Sequence, residues 1–395
     1  MANPEVVICS PVRTAIGTYN GSLKDTPAVE LGAAAVKACL ERARISGTDV
    51  DGVVMGNVIQ AGNKMNPARQ AAIYSGLPVD VPAMTVNRVC GSGAQAIVSA
   101  AAEIQLGHAK TAIAGGMENM DAAPYLMQKG RWGYRLGNAE IYDAMLRDGL
   151  NDAFSDEHSG WLTEDLVAKY QISREAQDAW ALRSQQRFSA AQAEGKFEAE
   201  IVPVLVKTRK GEQPFARDEQ NRPDTTLEGL AKLKPAFRKD GTITAGNAPG
   251  LNAAAAAVLL VERGRADKNG AEPLARLVSW GVGAVEPGMF GLGPVPAVKL
   301  ALQRAGWTIA DVDRFEINEA FAAITLALMS ELGVPGDVVN VEGNSIAHGH
   351  PIGATGALQT TRLLHSMRRD GIKRGVVTMC IGGGQGIALA LESDV

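Results

Sequence analysis

Thr48-Asp49-Val50-Asp51-Gly52-Val53-Val54-Met55 returns 262 residues later as Ala310-Asp311-Val312-Asp313-Arg314-Phe315-Glu316-Ile317. Each copy follows an amphipathic helical stretch, Ala28 to Arg44 in the first and Ala297 to Ala305 in the second. The register persists downstream. Cys90 shifted by the same 262 positions falls on Ile352, two residues from His350, and in both places a glycine-rich turn opens a helix: CGSGAQAIVSAAAEI in one copy, HPIGATGALQTTRLLHSM in the other. Each helix is followed by a strand-like run ending in glycines, TAIAGGMEN and VVTMCIGGGQG. One matching octapeptide would be an accident; the same order of helix, strand, turn, helix and strand in both halves is a duplication. The chain therefore reads as two similar α/β units, each with a mixed or parallel sheet covered by helices.

Between the halves lies material that repeats nowhere. From about Met120 to Gly250 the chain is more polar, with RWGYRLGNAE, a long helical run near Thr163 to Phe197 starting after a threonine, and KTRKGEQPFARDEQNRPDTT, which reads as strand and loop. Long insertions in compact proteins are usually functional, so this segment is expected to cover a site. The Ala-rich stretch Leu251 to Glu262 has helical spacing and returns the chain to the first unit. The resulting division is residues 1–120, completed by about 251–272; an inserted loop domain, 121–250; and a second half, 273–395.

Composition narrows the partners. The chain is 46% hydrophobic but only 5% aromatic, so its cores must be built from Ala, Val, Leu and Ile, the palette of an α/β protein. A net charge of -4 with both signs interspersed offers no basic field for nucleic acid. Four cysteines without paired spacing (Cys9, Cys39, Cys90, Cys380) fit a reducing compartment and argue against structural zinc or a disulfide framework. The start, MANPEVVICSPVRTAIG, has a strand-like run about five residues long and no charged leader; the end, LESDV, is not a peroxisomal address. No apolar stretch reaches the ~20 residues of a membrane span. The expected location is the cytoplasm.

Cys90 stands where the extended run Val81 to Val89 gives way to the helix Ala94 to Ile104, with Gly91, Ser92 and Gly93 at the turn. Free backbone N–H groups and the helix dipole there favour thiolate over thiol, which predicts a lowered pKa and a nucleophile. The competing reading is a buried cysteine among small residues. The second half supplies partners. His350, at the head of its helix, is expected to stay neutral and able to act as a base. Cys380 ends a buried-looking strand just before GGGQG, whose backbone N–H groups, notably that of Gly382, can approach a reacting oxygen; the same glycines also read as a turn or a phosphate nest. His348 reads as structural, and His108 and His365 as solvent-facing. No set of side chains has metal-ligand spacing.

NRVCGSGAQAI with AGGMENM, INEAFAA, GHPIGATGA and TMCIGGGQG, in this order, resembles the thiolase family, especially its acetyl-CoA acetyltransferase and β-ketothiolase branch, from VRTAIGTYNGSLKD to the final strand. The resemblance implies an α/β fold of two duplicated βαβαβαββ halves in a five-layer α/β/α/β/α core, with a loop domain that covers the site and helps homotetramers, dimers of dimers, assemble. It implies that Cys90 is the nucleophile that becomes an acyl-thioester, His350 the base that activates it, and Cys380 the acid/base for the α-proton and the leaving group. Asn318 resembles the residue that with His350, through a water, builds one oxyanion hole, and the N–H groups of Cys90 and Gly382 the other. Leu150, His158 and Arg222 match positions lining a coenzyme A tunnel, and Lys129, Arg131 and Arg135 read either as phosphate contacts or as a solvated charge run. Coenzyme A and acetyl-CoA are implied as substrates, with no permanently bound cofactor and no nucleic-acid or membrane partner.

Three places depart from the family pattern: His158-Ser159-Gly160, Phe290-Gly291-Leu292-Gly293-Pro294, and Asn247-Ala248-Pro249-Gly250-Leu251-Asn252-Ala253. Ser159 and Phe290 are expected near the acyl group, so a reshaped pocket and acyl groups beyond acetyl are expected. Pro249 removes a hydroxyl within reach of pantetheine. Three rivals come from other reactions. A decarboxylating ketosynthase would be expected to have a second histidine in place of Cys380; a Cys90–His350 hydrolase would release free acid without coenzyme A; a non-catalytic acyl-CoA-binding protein would have no use for Cys90, Asn318, His350 and Cys380 together.

Overall fold

The computed structural model describes residues 4–393. The first three residues, and the last two of LESDV, where the expected halves begin and end, lie outside the described residues. Its main strands are β1 (Val6–Thr14), β2 (Gly52–Gly56), β3 (Ala83–Val86), β4 (Thr111–Asn119), β5 (Val204–Thr208), β6 (Gly211–Phe215), β7 (Asn252–Glu262), β8 (Pro273–Ala284), β9 (Arg314–Ile317), β10 (Arg374–Ile381) and β11 (Gln385–Ser393). Its main helices are α1 (Ala28–Ala43), α2 (Pro67–Tyr74), α3 (Ser92–Gln105), α4 (Ser159–Tyr170), α5 (Arg174–Ala193), α6 (Pro294–Ala305), α7 (Ala322–Leu332), α8 (Ser345–His348) and α9 (Thr355–Asp370).

Nine of these strands follow one path, β9-β10-β11-β8-β1-β7-β4-β2-β3, while β5 and β6 pair antiparallel with each other. Its two halves meet where β1 pairs antiparallel with β8 over Val7↔Arg276, Ile8↔Ala275 and Cys9↔Pro273. Within each half the strand from the repeat is parallel to the next, β2 with β4 and β9 with β10. The repeated octapeptides fold alike for a visible reason. Asp51 caps the start of β4 by accepting from the N–H of Lys110 and Thr111, and Asp313 does the same for β10 through the N–H of Arg374.

Apolar side chains sort into layers. One face of the first half packs on α1 and α2; its other face, with the inner face of the second half, packs on α3 and α9; the outer face of the second half packs on α6, α7 and the inserted helices α4 and α5. This is the five-layer order the sequence implies. Helices α3 and α9 form the middle layer, and they touch through glycine. A Cβ on Gly93 would lie 2.6 Å from the Ala357 nitrogen, and one on Gly356 would lie 2.3 Å from the Ala94 nitrogen. These glycines permit backbone-to-backbone contact between the two helices that follow Cys90 and His350.

Three local expectations are corrected. Asn252–Glu262 is a strand, not a helix: Ala253, Ala255, Ala257, Leu259 and Val261 face one core, while Val258 and Leu260 face another. Ladders to β1 and β4 satisfy both edges, and burial on both faces needs small side chains, which overrides the helix preference of alanine. The run Thr163 to Phe197 is two helices. The first starts at Ser159 and ends at Gln171 in a left-handed conformation (φ 52°), and the second starts anew where the Ser173 side chain accepts from Ala176 N–H. Strand β1 spans nine residues rather than about five, with a bulge at Ser10 and Pro11 where the register shifts between Cys9 and Val12.

Candidate active site

Cys90 immediately precedes Gly91, the N-cap of α3, and follows Val89, whose φ of 45° places a β-branched residue in the left-handed region. Such strain costs about 1–3 kcal/mol and here re-aims the chain between β3 and α3. His350 lies in the loop between α8 and α9, and its backbone N–H donates to Asn252 Oδ1 at 2.8 Å. Asn318 and Cys380 come from the adjacent parallel strands β9 and β10, with Asn318 N–H donating to Thr378 O at 3.0 Å. Gly382 opens the turn between β10 and β11.

These elements converge on a cavity of about 360 Å³ lined by Cys90, His350 and Gly382 together with Leu150, His158, Ser159, Pro249 and Phe290. Val89, Met120, Leu162, Phe237, Phe321 and Ile352 add apolar walls. Cys380 is buried behind this surface, near enough that charge on Cys90 raises its already high thiol pKa further. Arg222 lies elsewhere. It lines a second cavity of about 210 Å³ that shares Ala248 with the first. Lys129, Arg131 and Arg135 are exposed and line neither cavity.

Electrostatics corrects one expectation. Burial pushes the Cys90 thiol up to about 11, outweighing the backbone hydrogen bonds from Gly382 and from Cys90 itself that pull the other way. The helix-terminus effect is present but loses to desolvation, so the resting group is a thiol. His350 is neutral as expected, lowered from 6.5 to about 4, but the cause is burial. A neutral thiol and a neutral imidazole lining one cavity are not a pre-formed ion pair, so a reaction that begins at the sulfur would need its proton to move at the same time.

The hydrogen-bond partners define which imidazole nitrogen is free. Thr355 Oγ1 donates to Pro351 O at 2.9 Å, so toward His350 Nδ1, 2.7 Å away, it can only accept. Asn318 Nδ2, a donor, faces Nε2 at 3.4 Å. Both neighbours assign the hydrogen to Nδ1 and leave the Nε2 lone pair available. His158 has the opposite tautomer, because its Nδ1 accepts from Gly160 N–H at 2.9 Å while its ring stacks on Phe237 at 4.5 Å.

Sequence reasoning did not single out Glu118, Ser345, Thr355 or Gln359. Glu118 had a signal, a lone acid inside the apolar run TAIAGGMEN. The other three act through contacts that no short motif displays. Among the described residues no group of three or more His, Cys, Asp or Glu side chains is placed to hold a metal, and no helix is long and apolar enough to cross a membrane.

Comparison with known proteins adds a further set of observations. The family model described as Thiolase, N-terminal domain matches residues 6–264, and that described as Thiolase, C-terminal domain matches residues 271–393. The chain is 51% identical to the acetyl-CoA acetyltransferase of Chromobacterium violaceum over 98% of this chain and 99% of that one. It is 52% identical to beta-ketothiolase BktB of Cupriavidus necator, again over 98% and 99%. Among solved structures, the Bacillus anthracis acetyl-CoA acetyltransferase superposes with a TM-score of 0.97 at 43% identity, covering 99% of both chains. Human mitochondrial 3-ketoacyl-CoA thiolase gives 0.96 at 42% identity over the same shares.

Proposed function

The chain belongs to the thiolase family, and from that premise we propose that Cys90, His350 and Cys380 run an acyltransferase cycle. The protein is an acyltransferase that condenses acetyl-CoA with an acyl-CoA to a 3-ketoacyl-CoA and runs the reverse thiolysis. In the proposed cycle Cys90 Sγ attacks the thioester carbonyl while its proton passes to His350 Nε2. The oxyanion accepts from the N–H groups of Cys90 and Gly382. The tetrahedral adduct expels coenzyme A as a thiol protonated by Cys380, leaving acyl-Cys90 and a Cys380 thiolate. A second acyl-CoA then loses an α-proton to that thiolate, its carbanion attacks acyl-Cys90, and the C–S bond breaks as His350 returns its proton to give the Cys90 thiol.

One observation carries this reading: the nucleophile, a base with a free Nε2 lone pair and the Gly382 N–H line one cavity, with a second thiol within electrostatic reach. The test is thiolysis of acetoacetyl-CoA by coenzyme A, run with Cys90→Ser and Cys380→Ser. Activity in the parent and its loss in both variants supports the cycle; an active Cys90→Ser enzyme overturns it.

A second reading extends the substrates to longer or branched 3-ketoacyl-CoAs, favoured by the apolar walls and by Phe290 and Ser159 beside them. Turnover of 3-ketohexanoyl-CoA beside acetoacetyl-CoA decides it, and no turnover of the longer chain removes it. Coenzyme A enters as substrate, with no permanent cofactor. Assembly into a homotetramer is supported by exposed apolar side chains on the inserted loop, Trp132 at 82% and Leu136 at 100% exposure. Sedimentation equilibrium tests that assembly. None of Cys9, Cys39, Cys90 and Cys380 is in a disulfide, which supports a reducing, cytoplasmic location.

A further inference from the structure

Asn318 has an amide that can face His350 either way, and the two orientations give different chemistry. With Nδ2 toward Nε2, as observed at 3.4 Å, the imidazole offers a lone pair there. With Oδ1 toward Nε2, the ring would place its hydrogen on Nε2. Thr355 would then turn its hydroxyl from Pro351 O to Nδ1, losing the bond to Pro351 O, which still accepts from the backbone N–H groups of Ala354 and Thr355. That second state has no lone pair at the nitrogen meant to take the Cys90 proton. On the Thr355 side a single hydroxyl bond, to Pro351 O, separates the two states. The larger constraint lies on the far side of Asn318.

There Asn318 Oδ1 accepts from Ser345 Oγ at 2.6 Å and from Gln359 Nε2 at 3.0 Å. Gln359 Nε2 spends its other hydrogen on Asn344 Oδ1 at 2.8 Å. Reversing the Gln359 amide would set its oxygen against two carbonyl oxygens, so Gln359 cannot flip without losing both bonds. Asn344 is itself fixed, with Nδ2 donating to Glu316 Oε2 at 2.6 Å. Gln359 Oε1 is buried and has no hydrogen-bond partner among the described residues. The fold tolerates an orphaned carbonyl to keep the amide hydrogens aimed at Asn318 and Asn344. All of Asn318, Asn344, Ser345 and Gln359 are fully buried.

We propose that Gln359 and Ser345 are positioning residues for the transfer reaction: by donating to Asn318 Oδ1 they turn its NH2 toward His350 and hold the imidazole in the tautomer that accepts the Cys90 proton. The proposal rests on the thiolase reading of Cys90 and His350 and adds a determinant α9 supplies from outside the cavity. Neither residue lines the cavity, so neither is expected to touch substrate.

The experiment uses the full chain with ¹⁵N-labelled histidine and the variants Ser345→Ala, Gln359→Met and the double variant. Two quantities are read: the His350 ring nitrogen shifts, assigned with His350→Asn, and steady-state thiolysis of acetoacetyl-CoA. In the parent, Nδ1 is protonated and Nε2 is not. In the double variant the Nε2–H tautomer appears and kcat falls by about 100-fold or more, within the range general-base catalysis supplies, while KM for coenzyme A stays within about twofold. Each single variant retains one donor and loses less than the double. A double variant that keeps the Nδ1–H tautomer overturns the proposal whatever its activity, since a merely structural role lowers kcat without moving the tautomer. A changed tautomer with unchanged kcat overturns it as well. If the double variant does not fold, Gln359→Met alone is read by the same two criteria. A parent that is inactive on acetoacetyl-CoA sinks the thiolase reading instead, and the nitrogen shifts still report whether the amide is locked.

Discussion

Glu118 Oε2 accepts from the backbone N–H of Gly353 at 2.9 Å, joining the end of β4 to the loop that bears His350 across 235 residues of sequence. The same carboxylate accepts from Val58 N–H at 3.1 Å, Ile59 N–H at 3.3 Å and Asn57 Nδ2 at 2.8 Å. Four donors on two oxygens need an acceptor-only group. In Glu118→Gln one oxygen becomes NH2 and faces N–H groups, leaving two buried donors unpaired. The expected loss is about 2–4 kcal/mol in urea unfolding, with a lower kcat because Gly353 no longer anchors the His350 loop. A variant as stable and as active as the parent rules out this bracket.

Acid behaviour follows from His350. Its folded pKa of about 4 lies below the ordinary 6.5, so below pH 6.5 the unfolded chain binds the proton first. Stability is therefore lost as pH falls from 6.5 through 4, by on the order of 3 kcal/mol from this group. Glu118, raised to about 7, has the opposite sign: its contribution is full below about 4.5 and is lost as pH rises through 7. His158, also lowered to about 4, and His348, lowered well below 6.5, act in the same direction, so His350→Asn is expected to make the acid limb of stability shallower by its own share, measured by urea titration from pH 4 to 8. The acid limb of kcat/KM should sit near 4, not near 6.5. A step near pH 7 that vanishes in Glu118→Gln belongs to Glu118, whose charge opposes thiolate at Cys90.

Why some of this was legible and some was not comes down to range. Cys90, His350, Cys380 and Gly382 stand at turns between repeated elements, where glycines and a strand end mark the chain itself. Asp51 and Asp313 make the repeat readable because each caps the strand beside its own. By contrast, Ala253 to Leu260 has alanine's helix preference locally and becomes a strand because β1 and β4 lie on either side. The Cys90 shift has the opposite sign to that expected because a helix terminus is visible in sequence, whereas the apolar surroundings that desolvate the half-buried sulfur are assembled from distant segments. Arg222 lies at a neighbouring cavity rather than the central one, and Gln359 reaches Asn318 from 41 residues away. No periodicity announces such a contact.

Arg13 ties the segment between β4 and β7 to strand β1. Fully buried, it pairs with Asp218 through two bonds of 2.8 and 2.9 Å and with Glu200 at 2.7 Å. Replacing it strands two buried carboxylates, with Arg362 4.0 Å from Glu200 and Arg42 within electrostatic reach of it. Arg13→Met is expected to cost about 3–5 kcal/mol, and adding Glu200→Gln and Asp218→Asn should restore much of that, because the penalty is an uncompensated charge rather than lost packing. Urea unfolding of the single and triple variants measures both. A triple variant no better than the single shows that the guanidinium's own packing on Phe197, 5.7 Å from the ring centroid, was the larger contribution.

Gly356 tests whether the middle layer sets the distance between the catalytic turns. A Cβ there meets the Ala94 nitrogen at 2.3 Å and the Ala94 Cβ at 2.8 Å, both held by helix α3, so neither can yield as a flexible side-chain tip would. Gly356→Ala must separate α3 from α9, costing about 1–3 kcal/mol as overpacking. Because Cys90 precedes α3 and His350 precedes α9, the same displacement moves the proposed nucleophile from the proposed base. Misplacement by about 1 Å can cost on the order of 100-fold in rate, so kcat should fall by far more than the stability loss implies. Gly288 provides the contrast, since a Cβ there meets nothing within 4 Å; Gly288→Ala should leave stability within about 0.5 kcal/mol and leave thiolysis unchanged. Equal activity in the two variants would show that the helix contact fixes the fold without fixing the geometry of transfer.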